Sequence, residues 1–147
     1  MELRFEIEGE PQLVGYLGVV AEGIKDFGKP LQSIGSELIK TFDLNFAQRG
    51  GVFGGWAPRK PQYRAGNRVD TWPLLEKTGD MRHSFRSDAS TTSVSVGNAA
   101  PYFAYHQSNQ PRARLPRRVM MKVDAARRTF IVKAFQLHIV EALRGRR

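Results

Sequence analysis

The sequence predicts an α+β fold in which an antiparallel sheet packs against helices and a long irregular aromatic loop interrupts the regular elements. Three observations carry that prediction. Apolar and polar residues alternate at the start of the chain and again near 78–97. Apolar residues recur every three or four positions in 12–26, 31–46 and 125–143, and neither period survives in 49–73. No internal repeat is visible, and 147 residues is the length of one domain, taken here as 1–147.

The elements follow in order. Leu3, Phe5 and Ile7 alternate with Glu2, Arg4, Glu6 and Glu8, which predicts a strand with one buried face over 2–8. Leu13, Leu17, Val20, Ile24 and Phe27 form a helical stripe over 12–26. Gly15, Gly18 and Gly23 weaken that helix by up to about 1 kcal/mol each relative to Ala, so packing must hold it. Phe27-Gly28-Lys29-Pro30 breaks it. Leu31, Ile34, Leu38, Phe42 and Phe46 define a second amphipathic helix, antiparallel to the first across a short connection and stopped by Gly50-Gly51.

Residues 49–73 combine Gly50, Gly51, Gly54, Gly55, Gly66, Pro58, Pro61 and Pro73 with Trp56, Tyr63 and Trp72. Loops of this length inside compact domains are usually functional or mobile. Two tryptophans on such a loop are expected to pack on the core or on a neighbouring subunit. Met81, His83 and Phe85 alternate, Asp88-Ala89-Ser90 reads as a turn, and Ser93–Gly97 alternates again, which predicts a hairpin. Arg118–Val123 reads as a short last strand, Asp124 as an N-cap, and 125–143 as a closing helix with Ile131, Phe135, Ile139, Ala142 and Leu143 on its apolar side.

The formal net charge is +9, and its distribution is uneven. Residues 1–111 carry 12 basic and 12 acidic side chains; residues 112–147 carry 11 basic and 2 acidic. The first 26 residues lean the other way, with six acids and two bases. Two differently charged surfaces are expected, and nucleic acid is a candidate partner. Arg112, Arg114, Arg117 and Arg118 form a dense run after Tyr102, Phe103 and Tyr105, so phosphate neutralisation with base stacking is one reading. No nucleic-acid-binding motif accompanies the run, and it suits acidic protein surfaces equally well.

Catalytic patterns are missing. With no cysteine, disulfides, thiolate metal sites and thiol nucleophiles are excluded. His83, His106 and His138 lie far apart without zinc spacing, and each reads better as a packed or hydrogen-bonded residue than as a ligand. Gly50–Gly55 lacks the Lys-Ser/Thr of a phosphate loop. The chain is therefore read as a non-enzyme with no cofactor and no catalytic or metal residues. No apolar run nears the roughly 18 residues of a membrane span, and the acidic N-terminus is unlike a signal peptide, so no membrane contact is expected.

Several short stretches, in order, resemble the phage virion morphogenesis family, the tail-completion and head–tail joining proteins of Mu-like and related tailed phages. They are Ile34-Gly35, then Gly54-Gly55-Trp56-Ala57-Pro58, then Leu75 to Met81 as Leu-x-x-Thr-Gly-x-Met, followed by Ser84-Phe85. A Val-Gly-Asn turn at Val96 to Asn98 comes next. Tyr102, Ala104, His106 and Gln107 resemble the family's tyrosine–alanine–histidine–glutamine motif in offset form, and Pro116 with Arg118 resembles its proline-x-arginine segment. The likeness covers about two-thirds of the chain; Ser108-Asn109-Gln110 stands where the family usually has a hydrophobic residue and Gly.

What the resemblance implies is a structural virion subunit of the neck or head-proximal tail end, assembled in the host cytoplasm. It would form a ring, a hexamer by analogy, around the DNA path, beside neighbouring neck proteins and the tail tube protein, with non-specific contact to channel DNA. Phe53, Trp56, Tyr63 and Trp72 would then belong to an intersubunit arm, and Arg112, Arg114, Arg117 and Arg118 to a basic face toward a partner or the channel. The alternative is a small basic nucleic-acid-binding module.

Overall fold

A computed structural model of the chain describes residues 2–6, 25–59, 72–108 and 115–144. Strand β1 is Glu2–Glu6, helix α1 Gly28–Ala47, the short helix α2 Asp80–His83, strand β2 Phe85–Ala89, strand β3 Ser93–Asn98, the short helix α3 Phe103–Gln107 and helix α4 Ala125–Arg144; a 3-10 turn spans Gly51–Phe53. The three strands form one sheet in the order β1-β3-β2. With only residues 90–92 between them, β2 and β3 are an antiparallel hairpin. Helices beside a small sheet confirm the α+β class. Of the predicted helix over 12–26, residues 12–24 lie outside the described residues, and Lys25 and Asp26 are not helical.

The chain divides into two compact units, one built mainly from Ile39–Arg86 and Gly97–Lys122, the other from Glu2–Leu38, Ser87–Val96 and Val123–Arg147. In the first, an aromatic ladder forms the core. Phe42 and Phe46 lie four residues apart on α1, so both project from one face. Phe85 packs against Phe42 at 5.3 Å and against Phe46 at 6.2 Å, and Phe103 meets Phe85 edge-on at 5.6 Å. Met81, Ala100, Met120 and Met121 complete this core.

In the second unit Leu31, Ile34, Leu38, Val94 and Val96 are buried. Gly35 allows this packing, because a Cβ there would come within 2.9 Å of the Ser87 Cβ and 3.1 Å of Val94 Cγ2. Phe27 takes Phe135 of α4 edge-on at 5.7 Å and the His138 ring at 5.6 Å, while His138 Nε2 lies 3.0 Å from the Asp26 carbonyl.

The helix ends explain why these elements sit where they do. Asp26 Oδ1 accepts a 2.7 Å bond from the Gly28 N–H, and Leu31 N–H bonds Phe27 O, so the Phe27–Pro30 break is also the start of α1. Pro30 is tolerated there because first-turn N–H groups have no helical partner. At the other end Arg49 and Gly50 turn left-handed, and Gly50 N–H reaches back to Asn45 O at 2.7 Å. Asp124 caps α4 as expected, accepting from Arg127 N–H at 3.0 Å.

Three local expectations are corrected. Met81 and His83 lie on α2 and not on a strand, because left-handed Gly79 starts a helical turn there; His83 is exposed. The hairpin turn falls at residues 90–92, two residues later than expected, because the Ser90 hydroxyl accepts from the N–H groups of Thr92 and Ser93. Residues 118–123 form no strand, for a reason found in the partners they take.

Candidate functional site

The family-like motifs converge on the segment 116–121. Gln107, buried at the end of α3, acts as a substitute strand. Its Oε1 accepts from the backbone N–H groups of Met120 at 2.7 Å and Met121 at 3.2 Å, and its Nε2 donates to Met121 O at 2.8 Å. Asn45, wholly buried on α1, donates to Val119 O at 3.0 Å. Trp56 Nε1 donates to the same carbonyl at 2.8 Å. Two primary amides and one indole thus satisfy the backbone that a neighbouring strand would otherwise pair, and the segment stays extended without joining the sheet.

Arg118 closes the arrangement from the other side. Its backbone N–H donates to His106 O at 2.9 Å, its Nε to Ala57 O at 3.0 Å and its Nη2 to Pro58 O at 3.4 Å. The residue is 5% exposed. Burial, and secondarily the charge of Arg59, hold its guanidinium below the usual arginine range. Arg118 is therefore not part of an outer basic face: the loop carbonyls of Ala57 and Pro58 draw it inward. Arg117 is exposed, with Nε donating to Gln107 O at 3.1 Å. Arg112 and Arg114 lie outside the described residues.

The aromatic loop residues are placed as follows. Phe53 packs on Phe42 at 6.2 Å, and Trp56 meets Phe46 edge-on at 5.0 Å, so both are half-buried within their own chain. Trp72 is half-buried and has two cations near its ring, Lys77 Nζ at 5.3 Å and Arg59 Cζ at 5.9 Å. Arg59 also donates to Trp72 O at 3.0 Å. Tyr63 lies outside the described residues. Of the motif residues, Gln107 is buried, His106 and Pro116 are half-buried, and Tyr102 and Ala104 are exposed.

Sequence reading did not anticipate two features. Asn45 sits on the apolar side of α1 beside Phe42 and Phe46, a position where a polar residue already signals a buried hydrogen-bonding task. Arg82 forms a two-carboxylate network, with Nε 2.6 Å from Asp43 Oδ1 and Nη1 3.0 Å from Glu76 Oε2. The Arg82 hydrogen bond pulls the Asp43 carboxyl below its ordinary range. Nearby, Thr78 and Tyr102 hydrogen bonds do the same for Asp80. Among the described residues no three His, Asp or Glu side chains gather as metal ligands.

This wiring links the Gly-Gly-Trp, Tyr-Ala-His-Gln and Pro-x-Arg stretches into one unit, and a family comparison agrees. The model of the phage virion morphogenesis family matches residues 11–139. The chain belongs to the phage virion morphogenesis family. No curated protein and no solved structure matches it. This virion morphogenesis protein is accordingly virion-associated, with a structural role in particle assembly. None of its described helices is long and apolar enough to cross a membrane.

Proposed function

We propose that this protein is a ring-forming subunit of the phage neck or head-proximal tail end, acting in tail completion or head–tail joining. The observation that carries the reading is the family match over residues 11–139, which includes every stretch wired to the 116–121 segment. The charge distribution supports it: neutral through residue 111 and strongly basic afterwards, the chain offers unlike surfaces to neighbours in a head-to-tail ring. Adjacent neck proteins and the tail tube are the partners such a ring meets, and channel DNA is a non-specific one. Chemistry is not required of the chain in this role.

The alternative of a nucleic-acid-binding module draws on the arginine run, and the inward course of Arg118 weighs against it. The test is negative-stain microscopy of particles made without this protein. Filled heads beside finished, unattached tails are the outcome expected for a joining role; overlong tails are expected for a terminator. Normally joined particles of normal length would overturn the proposal.

A further inference from the structure

Helix α4 runs for 20 residues without one buried side chain. Half of it is accounted for: Phe135 and His138 lie against Phe27. The remaining arc is apolar as well. Val132, Leu137, Val140 and Leu143 are between 40% and 63% exposed. At 100° per residue these four share the outward arc with Lys133 and Arg144 and with no acidic residue. Lys133 and Arg144 have no carboxylate partner among the described residues. A helix that is apolar on both sides is normally covered on both.

The chemistry of the cover follows from this arc. It must supply apolar surface and negative charge together. A DNA backbone offers the charge but nothing to cover four aliphatic side chains. A second α4 packed antiparallel would bring Lys133 of one copy toward Arg144 of the other, which repels. A heterologous contact, between two different surfaces, avoids that repulsion.

The rest of the described surface contains few candidates. Outside α4 the exposed large apolar side chains are Leu44, Tyr102 and Tyr105. Leu44 neighbours Asp43, whose carboxylate is engaged by Arg82. Tyr102 and Tyr105 are three residues apart at the start of α3 and both exposed, and the Tyr102 hydroxyl donates to Asp80 Oδ2 at 3.0 Å, which places an exposed carboxylate beside Tyr102. Tyrosines are enriched at interfaces because they bury large area at low entropic cost.

We propose that the outward arc of α4 is the docking surface for a second copy of this chain, whose Tyr102–Tyr105–Asp80 patch covers Leu137 and Val140 and faces Lys133. The proposal rests on the ring reading above and names the two surfaces that would meet. Its test is sedimentation of the purified full chain across a concentration series. Lys133→Glu, Leu137→Glu and Tyr105→Ala are each expected to weaken self-association by about tenfold or more. Asp80→Lys combined with Lys133→Glu is expected to restore most of what either single reversal loses.

Thermal unfolding separates loss of contact from loss of fold, and Tyr105→Ala, at a side chain 58% exposed, keeps the test available if Asp80→Lys is unstable. A wild-type chain that stays monomeric, association that ignores these substitutions, a double reversal that restores nothing, or Leu137-dependent binding to anionic vesicles in place of self-association would each overturn it. If particles lacking the protein still show unjoined heads and tails or overlong tails, the neck reading survives and the surface assignment alone falls.

Discussion

Trp56 and Val119 are joined by a 2.8 Å hydrogen bond from indole Nε1 to backbone carbonyl, which ties the glycine-rich loop to a segment 63 residues away. The indole also fills the space at Gly50, whose left-handed backbone ends α1 and where any Cβ would collide with the Trp56 ring. Trp56→Phe keeps the ring and removes the donor, with an expected loss of about 1 kcal/mol. Trp56→Ala also removes the packing on Phe46 and is expected to cost about 3 kcal/mol. Gly50→Ala adds strain and a clash and should cost about 1 kcal/mol or more. Urea unfolding of the three variants checks the order; a Gly50→Ala protein as stable as wild type would refute the close approach.

Gln107 offers a sharper test. Its side chain serves two buried N–H groups and one carbonyl of Met120 and Met121. Gln107→Ala strands all three, and each unpaired buried group costs about 1–3 kcal/mol. Fast exchange of the Met120 and Met121 amide protons is expected in that variant, with slow exchange in the wild type. Unchanged protection of these two amides would mean that another partner holds the segment.

Those two interactions also show where the sequence was readable. Helix α1 was legible from Leu31, Ile34, Leu38, Phe42 and Phe46, and α4 from its stripe behind Asp124, because burial imposes a period on the chain. Val119-Met120-Met121 carries the apolar run of a strand, but its pairing partners are the Gln107 and Asn45 amides, and no period records a side-chain partner. Met81 and His83 alternate with charges and yet lie on α2, since one left-handed glycine at Gly79 outweighs a three-residue pattern. Arg118 stands in a dense basic run and reads as surface, but the carbonyls that bury it come from Ala57 and Pro58, 61 and 60 residues away. Local pattern reports which face is wet and says nothing of such distant acceptors.

Arg117 and Arg118 are adjacent and should behave differently. Arg118→Gln leaves loop carbonyls without their charged donor and is expected to lower stability by about 2 kcal/mol. Arg117→Gln, at an exposed position, should change stability far less. If the protein binds duplex DNA, the slope of log affinity against log salt should fall for Arg117→Gln and hold for Arg118→Gln, because only a side chain that reaches phosphate releases counterions. Affinity measured over a salt series decides this. A reduced slope for Arg118→Gln in a folded protein would place its guanidinium on the surface.

Acid should loosen the protein through three carboxylates. Asp43 is depressed by its Arg82 hydrogen bond and Asp80 by Thr78 and then Tyr102. At Asp124 burial pushes the pKa up, but the backbone and side-chain hydrogen bonds of Arg127 outweigh it and leave the group depressed. A carboxylate depressed on folding stabilises the native state fully above its unfolded value, near pH 4, and loses that contribution as pH falls through the folded value. The melting temperature should therefore be flat in these groups from about pH 5 to 7 and drop below about pH 4. Asp43→Asn breaks the Arg82 ion pair at neutral pH, so its melting curve should lie below wild type there and converge with it in acid. Parallel pH profiles for the two proteins down to about pH 2 would show that the Asp43–Arg82 pair contributes nothing to the acid response.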